Sequence, residues 1–188
     1  MSKELYFQKV IEATAKTIAR TPPEKVRYSQ ISKLSGVSRA WIYKYFGTDT
    51  QQLIGHTIRA YSEQLSLINR PLHEGSLEQW IQVTTQNTVL GIQMLQEQPW
   101  IIQVYLRYRQ NPDPLFQPIR DTETQILKKL QKELKPLLPK AQLEATLEAL
   151  ECLRTGLWVR CTDPHFKKTY TPEKLKELLV HITQNAIR

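Results

Sequence analysis

Long hydrophobic runs are missing from this chain of 188 residues, and no apolar stretch is long enough to span a bilayer as a helix. Cysteine is nearly absent. The two present, Cys152 and Cys161, lie nine residues apart with no CxxC spacing, which excludes a disulfide framework and fits a reducing, cytoplasmic setting. Only 6 glycines occur, and alternating β-branched runs are scarce, which argues against a sheet-rich fold. The histidines, His56, His73, His165 and His181, are scattered and form no HExxH pattern, so neither a metal site nor a cofactor is expected. No glycine-rich phosphate loop, no GxSxG and no distinctive carboxylate pair is found, so enzyme chemistry has no motif here. A helical hydrolase assembled from distant residues would leave the same silence. Met1-Ser2-Lys3-Glu4 leads into no apolar segment, so no export signal is expected.

Acidic charge is also short. Eighteen Asp and Glu face 26 Lys and Arg, for a net charge of +8. The imbalance is concentrated in residues 1–60, which hold 10 basic and 4 acidic groups. A basic first third on a nearly balanced body implies a polyanion-binding module joined to something else.

What the chain does have is helical periodicity cut by proline. Phe7, Ile11, Thr14 with Ala15, and Ile18 make an apolar stripe, and Thr21-Pro22-Pro23 ends that helix. Two short helices follow, over about 29–35 and 39–45, with Gly36 suited to a left-handed C-cap and Ser38 to an N-cap. Thr48-Asp49-Thr50-Gln51 resembles a capping box opening a helix that Arg70-Pro71 closes, and Ser76-Leu77-Glu78-Gln79 opens another. Pro99 suits the first turn of the next helix. Helices are then expected over about 115–135, 140–161 and 172–187, the last capped by Thr171. The fold class is all-α with about nine helices.

The stretch from Tyr28 to Leu53 carries the function. Two short helices around a glycine turn outline a helix-turn-helix, whose second helix enters the DNA major groove. Ile31 and Leu34 should face inward from the first helix, Val37 from the turn, and Ile42 with Tyr45 or Phe46 from the second. That leaves Arg39, Ala40, Trp41 and Lys44 pointing outward, with Tyr43 to one side.

Ile31-Ser32, Ser35-Gly36-Val37-Ser38-Arg39-Ala40-Trp41-Ile42-Tyr43-Lys44-Tyr45-Phe46 resembles the DNA-binding signature of the tetracycline-repressor (TetR) family. The helix before it, the long helix after it and the total length match as well. Several positions depart from the pattern. Ser32 and Ser35 stand where alanines are usual, Trp41 where a small hydroxyl residue is usual, and Asp49 where a phosphate-holding lysine is usual. The usual glycine after the first helix is replaced by Thr21-Pro22-Pro23-Glu24.

The resemblance implies a homodimer on a roughly palindromic double-stranded DNA operator, commonly a repressor released by a small-molecule effector. It divides the chain into a DNA-binding domain, residues 1–48, and an effector-binding and dimerisation domain, residues 49–188. Arg39, Ala40 and Trp41 would lie near base edges, with Arg39 suited to guanine. Tyr43, Lys44 and Tyr45 match positions that touch the phosphate backbone, helped by backbone N–H groups, Ser38 or Thr48. Arg27, Tyr28 and Ser29 sit where the first helix would approach DNA. Trp41 has a second reading as a packing aromatic, and Tyr45 and Phe46 as core.

In the body, Trp80, Trp100, Tyr105, Tyr108, Phe116 and Trp158 are candidate effector-pocket aromatics, with Thr84 and Asn87 as polar partners. Each aromatic has a competing reading as core. The family pairs its last two long helices between subunits. Here that implicates Leu143, Leu147, Leu150, Leu157 and Cys161, then Leu175, Leu178, Leu179, Ile182 and Ala186. Lys128, Lys129, Lys132 and Lys135 form a basic stripe, read as a solvated helix face; no membrane partner is expected. The alternative to an effector-controlled regulator is a DNA-bound structural protein of the same fold without an effector.

Overall fold

The computed structural model describes residues 2–68 and 75–187, and among these every regular element is helical. The helices are α1 (Lys3–Ile18), α2 (Tyr28–Ser35), α3 (Arg39–Phe46), α4 (Thr50–Ile68) and α5 (Leu77–Glu97). They continue as α6 (Pro99–Tyr108), α7 (Gln117–Leu134), α8 (Lys140–Arg160), α9 (Pro164–Thr169) and α10 (Pro172–Ile187). Single 3-10 turns cover Pro23–Lys25 and Pro114–Phe116. The count exceeds the expected nine by α9. That helix has six residues and one buried apolar side chain, Phe166, too little to give a periodic signal. Its start is set by Asp163, whose carboxylate accepts the His165 N–H at 2.8 Å, and by Pro164 in the first turn. The expected stop at Arg70-Pro71, and His73, lie outside the described residues.

Local caps follow the sequence. Ser76 accepts the Gln79 N–H while the Gln79 side chain accepts the Ser76 N–H, closing a capping box. Thr171 Oγ1 accepts from Lys174 N at the start of α10. Before α4 the cap is Asp49 rather than Thr48: its carboxylate accepts the Gln51 N–H at 2.9 Å.

The chain folds as two compact units, one of Met1–Gln64 with Trp100–Thr122, the other of Leu65–Pro99 with Glu123–Arg188. These compact units do not divide at residue 48, where the sequence reading draws its boundary by role. In the first unit Ile18, Ile31, Ile42, Leu53, Ile54 and Phe116 are among the fully buried side chains. The C-terminal carbonyls of α1, left over by helix geometry, are taken up from α6. Tyr108 Oη donates to Ile18 O at 3.1 Å, and Arg107 donates to Ala19 O at 3.0 Å. The second unit is built on Trp80, Ile81, Leu134, Leu138, Leu150 and Ile187. The Trp80 indole N–H donates to Glu133 at 3.2 Å, which satisfies a buried donor.

Among the described residues no helix is long and apolar enough to cross a membrane, and no cluster of His, Cys, Asp and Glu could hold a metal ion.

Candidate nucleic-acid interface

The α2–turn–α3 segment is held in shape by its own short-range chemistry. Gly36 takes φ 70°, the left-handed conformation that lets α2 end in one residue without a Cβ penalty. Val37 then turns into the core. The two serines that replace alanines act here: Ser32 Oγ donates to Val37 O at 2.7 Å, and Ser35 Oγ accepts from Val37 N at 3.2 Å. Both polar groups of the buried Val37 backbone are satisfied without leaving the turn. Ser38 caps α3, accepting from Trp41 N at 3.3 Å.

Helix α3 divides by face. Ile42 and Phe46, one turn apart, are buried, while Arg39, Ala40, Tyr43 and Lys44 are exposed. Trp41 and Tyr45 are half-buried on the flank. Trp41 does not project freely as its neighbours do. Its ring packs edge-on against Tyr6 and Phe7 of α1, with centroids at 5.3 and 5.2 Å, and against Tyr45 at 4.5 Å. Phe7 also meets Tyr45 and Phe46. Lys3 Nζ lies 4.7 Å from the Tyr45 ring centroid, a cation–π contact. An aromatic clasp therefore joins the first helix to the exposed one.

Other expected residues also depart from their sequence reading. Tyr28 is buried. Its hydroxyl is shared between Gly47 O at 2.8 Å and Asp49 O at 2.9 Å, bracing α2 against the α3–α4 loop. Burial pushes its phenol up to about 12. Its ring also meets Tyr43 at 4.7 Å, which steadies the exposed tyrosine. Arg27 is exposed, yet one guanidinium nitrogen donates to Glu24 O and Val26 O, so part of its donor set is engaged by the preceding loop. Ser29 and Thr48 are exposed. Leu34, expected inside, is 55% exposed, because the inner face of α2 runs through Tyr28, Ile31 and Ser35.

The expected effector residues are divided between the two compact units. Trp100, Tyr105, Tyr108 and Phe116 belong to the first compact unit, and Trp80, Thr84, Asn87 and Trp158 to the second. Tyr108 and Phe116 stack at 4.1 Å with parallel rings, and Trp100 donates to Tyr61 Oη at 3.2 Å under a lysine, Lys16. These are packed side chains. Of the expected set, Trp80 and Thr84 line a cavity of about 70 Å³, shared with Thr85, Arg154 and leucines of α8. Arg154 had no sequence signal: it is one basic residue in a charged helix, and its burial depends on α5 and α10 covering α8.

The expected interface leucines are also largely consumed within the chain. Leu150, Cys161, Leu175 and Leu179 are buried, Leu143 and Leu147 pack on the core of their own unit, and Leu157 lines the cavity. What α8 leaves exposed is a different stripe, Ala145, Ala149, Cys152, Gly156 and Val159.

Comparison with known proteins agrees with this geometry. No family model matches the chain. The HTH-type transcriptional regulator BetI of Vibrio campbellii is 28% identical over 165 residues, spanning 85% of this chain and 81% of that protein. A TetR family transcription regulator from Marinobacter aquaeolei superimposes with a TM-score of 0.72 at 18% identity, covering 98% of this chain and 96% of that one. A TetR-like regulator from Rhodococcus sp. gives 0.72 at 12% identity, covering 98% and 97%. All three are transcriptional regulators, a non-enzymatic role. The chain has the all-helical fold of TetR-family transcriptional regulators, and it resembles HTH-type regulators in sequence along most of its length.

Proposed function

We propose that the protein is a sequence-specific DNA-binding transcriptional regulator, a homodimeric repressor of a roughly palindromic operator, released by a small-molecule effector. One observation carries the DNA reading: α3 keeps Ile42 and Phe46 buried and leaves Arg39, Ala40, Tyr43 and Lys44 free on one face. A short helix anchored on one side and basic on the other suits the major groove. In this reading Arg39 addresses guanine O6 and N7, and Ala40 gives a small apolar surface to a thymine methyl. Tyr43 and Lys44 hold phosphates, with Ser29, Ser38, Thr48 and the free donors of Arg27 at the margins. Trp41 and Tyr45 set the height of α3 through the aromatic clasp, and Tyr28 braces it; all three act on DNA through position. Residues 1–48 read the operator and residues 49–188 dimerise and respond, in the cytoplasm.

The dimer rests on the exposed α8 stripe. Ala145, Ala149, Cys152, Gly156 and Val159 recur at alternating steps of four and three, the spacing of a helix–helix seam. Small side chains there allow two copies of α8 to approach closely, with α10 alongside. A two-fold seam is self-complementary, so its midpoint, Cys152, falls near the dyad.

Selection of genomic DNA fragments by the purified protein tests the main reading. Enrichment of fragments sharing an inverted repeat is the expected result, and uniform recovery at every salt concentration contradicts it. For the dimer, mild oxidation should link Cys152 to Cys152 of a second copy, because a pair at the dyad meets disulfide geometry. Cys152 is exposed, whereas Cys161 is buried with its thiol pushed up to about 11, so the link is specific. A monomer by light scattering at micromolar concentration contradicts the dimer.

A further inference from the structure

The second compact unit contains a buried guanidinium with no hydrogen-bond partner among the described residues. All three guanidinium nitrogens of Arg154 are shut off from solvent. Arginine cannot shed its proton at any ordinary pH, so it cannot escape the cost of burial as a lysine or histidine does. The Trp158 ring lies 4.9 Å from the guanidinium carbon; it covers a face of the plane and leaves the edge, where the N–H groups point.

That edge borders the cavity between α5, α7, α8 and α10. Two other polar groups there are also unsatisfied: the Thr84 and Thr85 hydroxyls are buried without a partner. Thr88 differs, since its hydroxyl donates to Thr84 O. The rest of the lining is mainly apolar, with Trp80, Leu130, Leu153 and Leu179 prominent. Glu133 stands nearby but is engaged by the Trp80 indole and Lys129. A planar fork of donors, two idle hydroxyls and apolar walls form a complementary set for one chemical class.

We propose that this cavity binds a small organic carboxylate, its two oxygens paired with the Arg154 edge and the Thr84 and Thr85 hydroxyls, its apolar body against Trp80 and the leucines. The inference rests on the effector reading above and gives that effector a class. The carboxylate completes a bidentate fork–fork pair, which is charge-assisted and geometrically specific. The cavity accepts the headgroup and a short body; a larger body is accommodated by parting α5 from α8. Since α8 also carries the proposed seam, such parting acts directly on the subunit contact.

The test uses the full chain with butanoate, hexanoate and benzoate at up to millimolar concentrations, against hexanamide, benzamide and hexylamine. Calorimetric titration and thermal unfolding read binding, and operator binding is measured in the same samples. At least one carboxylate should bind and raise the melting temperature, while its amide and the amine do not. Arg154→Gln should weaken that carboxylate by at least about tenfold, with operator binding in its absence unchanged. Arg154→Met should leave the free protein as stable or more so, since it removes an uncompensated charge. No carboxylate binding, equal binding of acid and amide, or Arg154→Met that unfolds the unit overturns the proposal, and operator binding that persists then leaves the DNA reading standing. Carboxylate binding by a protein that selects no DNA supports the anion site and overturns the DNA reading instead.

Discussion

The helix-turn-helix and the cavity-bearing unit use basic residues in opposite ways. Arg39 and Lys44 lie exposed on α3, held out by a buried apolar row beneath them, whereas the guanidinium nitrogens of Arg154 on α8 are shut off from solvent. An exposed cation loses little by waiting for a phosphate, because water solvates it meanwhile. A sealed one is costly until its anion arrives, so it suits a conditional partner. On the proposed function, charge in the first region supplies affinity for DNA, and charge in the second supplies dependence on a ligand.

Breaking the dimer seam should have the largest effect. Ala149→Arg places a cation at close helix contact, and loss of the second head should lower operator affinity by about 10²–10⁴-fold, read by titration of a fluorescent operator with light scattering alongside. Removing the anchor beneath α3 comes next. Phe46→Ala empties the centre of the aromatic clasp and should destabilise the first unit by about 3–5 kcal/mol, read by thermal unfolding. Arg39→Ala should then cost about 1–3 kcal/mol of discrimination at one base position per half-site, with nonspecific binding little changed.

Smaller effects sharpen the division between bracing and contact. Tyr28→Phe deletes the shared hydroxyl and should cost about 0.5–1.5 kcal/mol in stability. The tyrosine's folded-state value is raised from 10.0 to about 12, so the folded state holds its proton after the unfolded state has lost it. The Tyr28 contribution is therefore full below pH 10 and falls as pH rises towards about 12; Tyr28→Phe should flatten that fall, leaving the shares of Tyr61, Tyr108 and Cys161, raised for the same reason of burial. Lys44→Ala should weaken all sequences alike and reduce the salt slope by about one unit. A Lys44 variant with an unaltered slope removes it from the phosphate role.

The same contrast explains what could be read in the sequence. Gly36, Ser38 and the Ser76–Gln79 box were legible because a cap is decided within four residues. The buried pair Ile42 and Phe46 was legible from helical spacing. Trp41 was not, since its packing depends on Tyr6 and Phe7, brought up from another helix. Leu34 misled because an eight-residue helix has too few turns to fix its inner face. In the body, Trp80 and Thr84 of the residues read from sequence line the cavity, while Thr85 and Arg154 had no signal because helices far apart in the chain bring them together. Leu143, Leu147 and Leu150 of α8 pack within their own unit, and the alanine and glycine stripe that α8 leaves exposed has no strong hydrophobic signal in the sequence.

The central claim is that α3 reads base sequence through its exposed face. Its most direct test is a base-by-base substitution scan of a selected operator against the wild type and Arg39→Ala. The expected result is an inverted repeat in which one position per half-site matters to the wild type and ceases to matter to Arg39→Ala. An unchanged profile in Arg39→Ala, or a wild-type protein indifferent to every substitution, contradicts it.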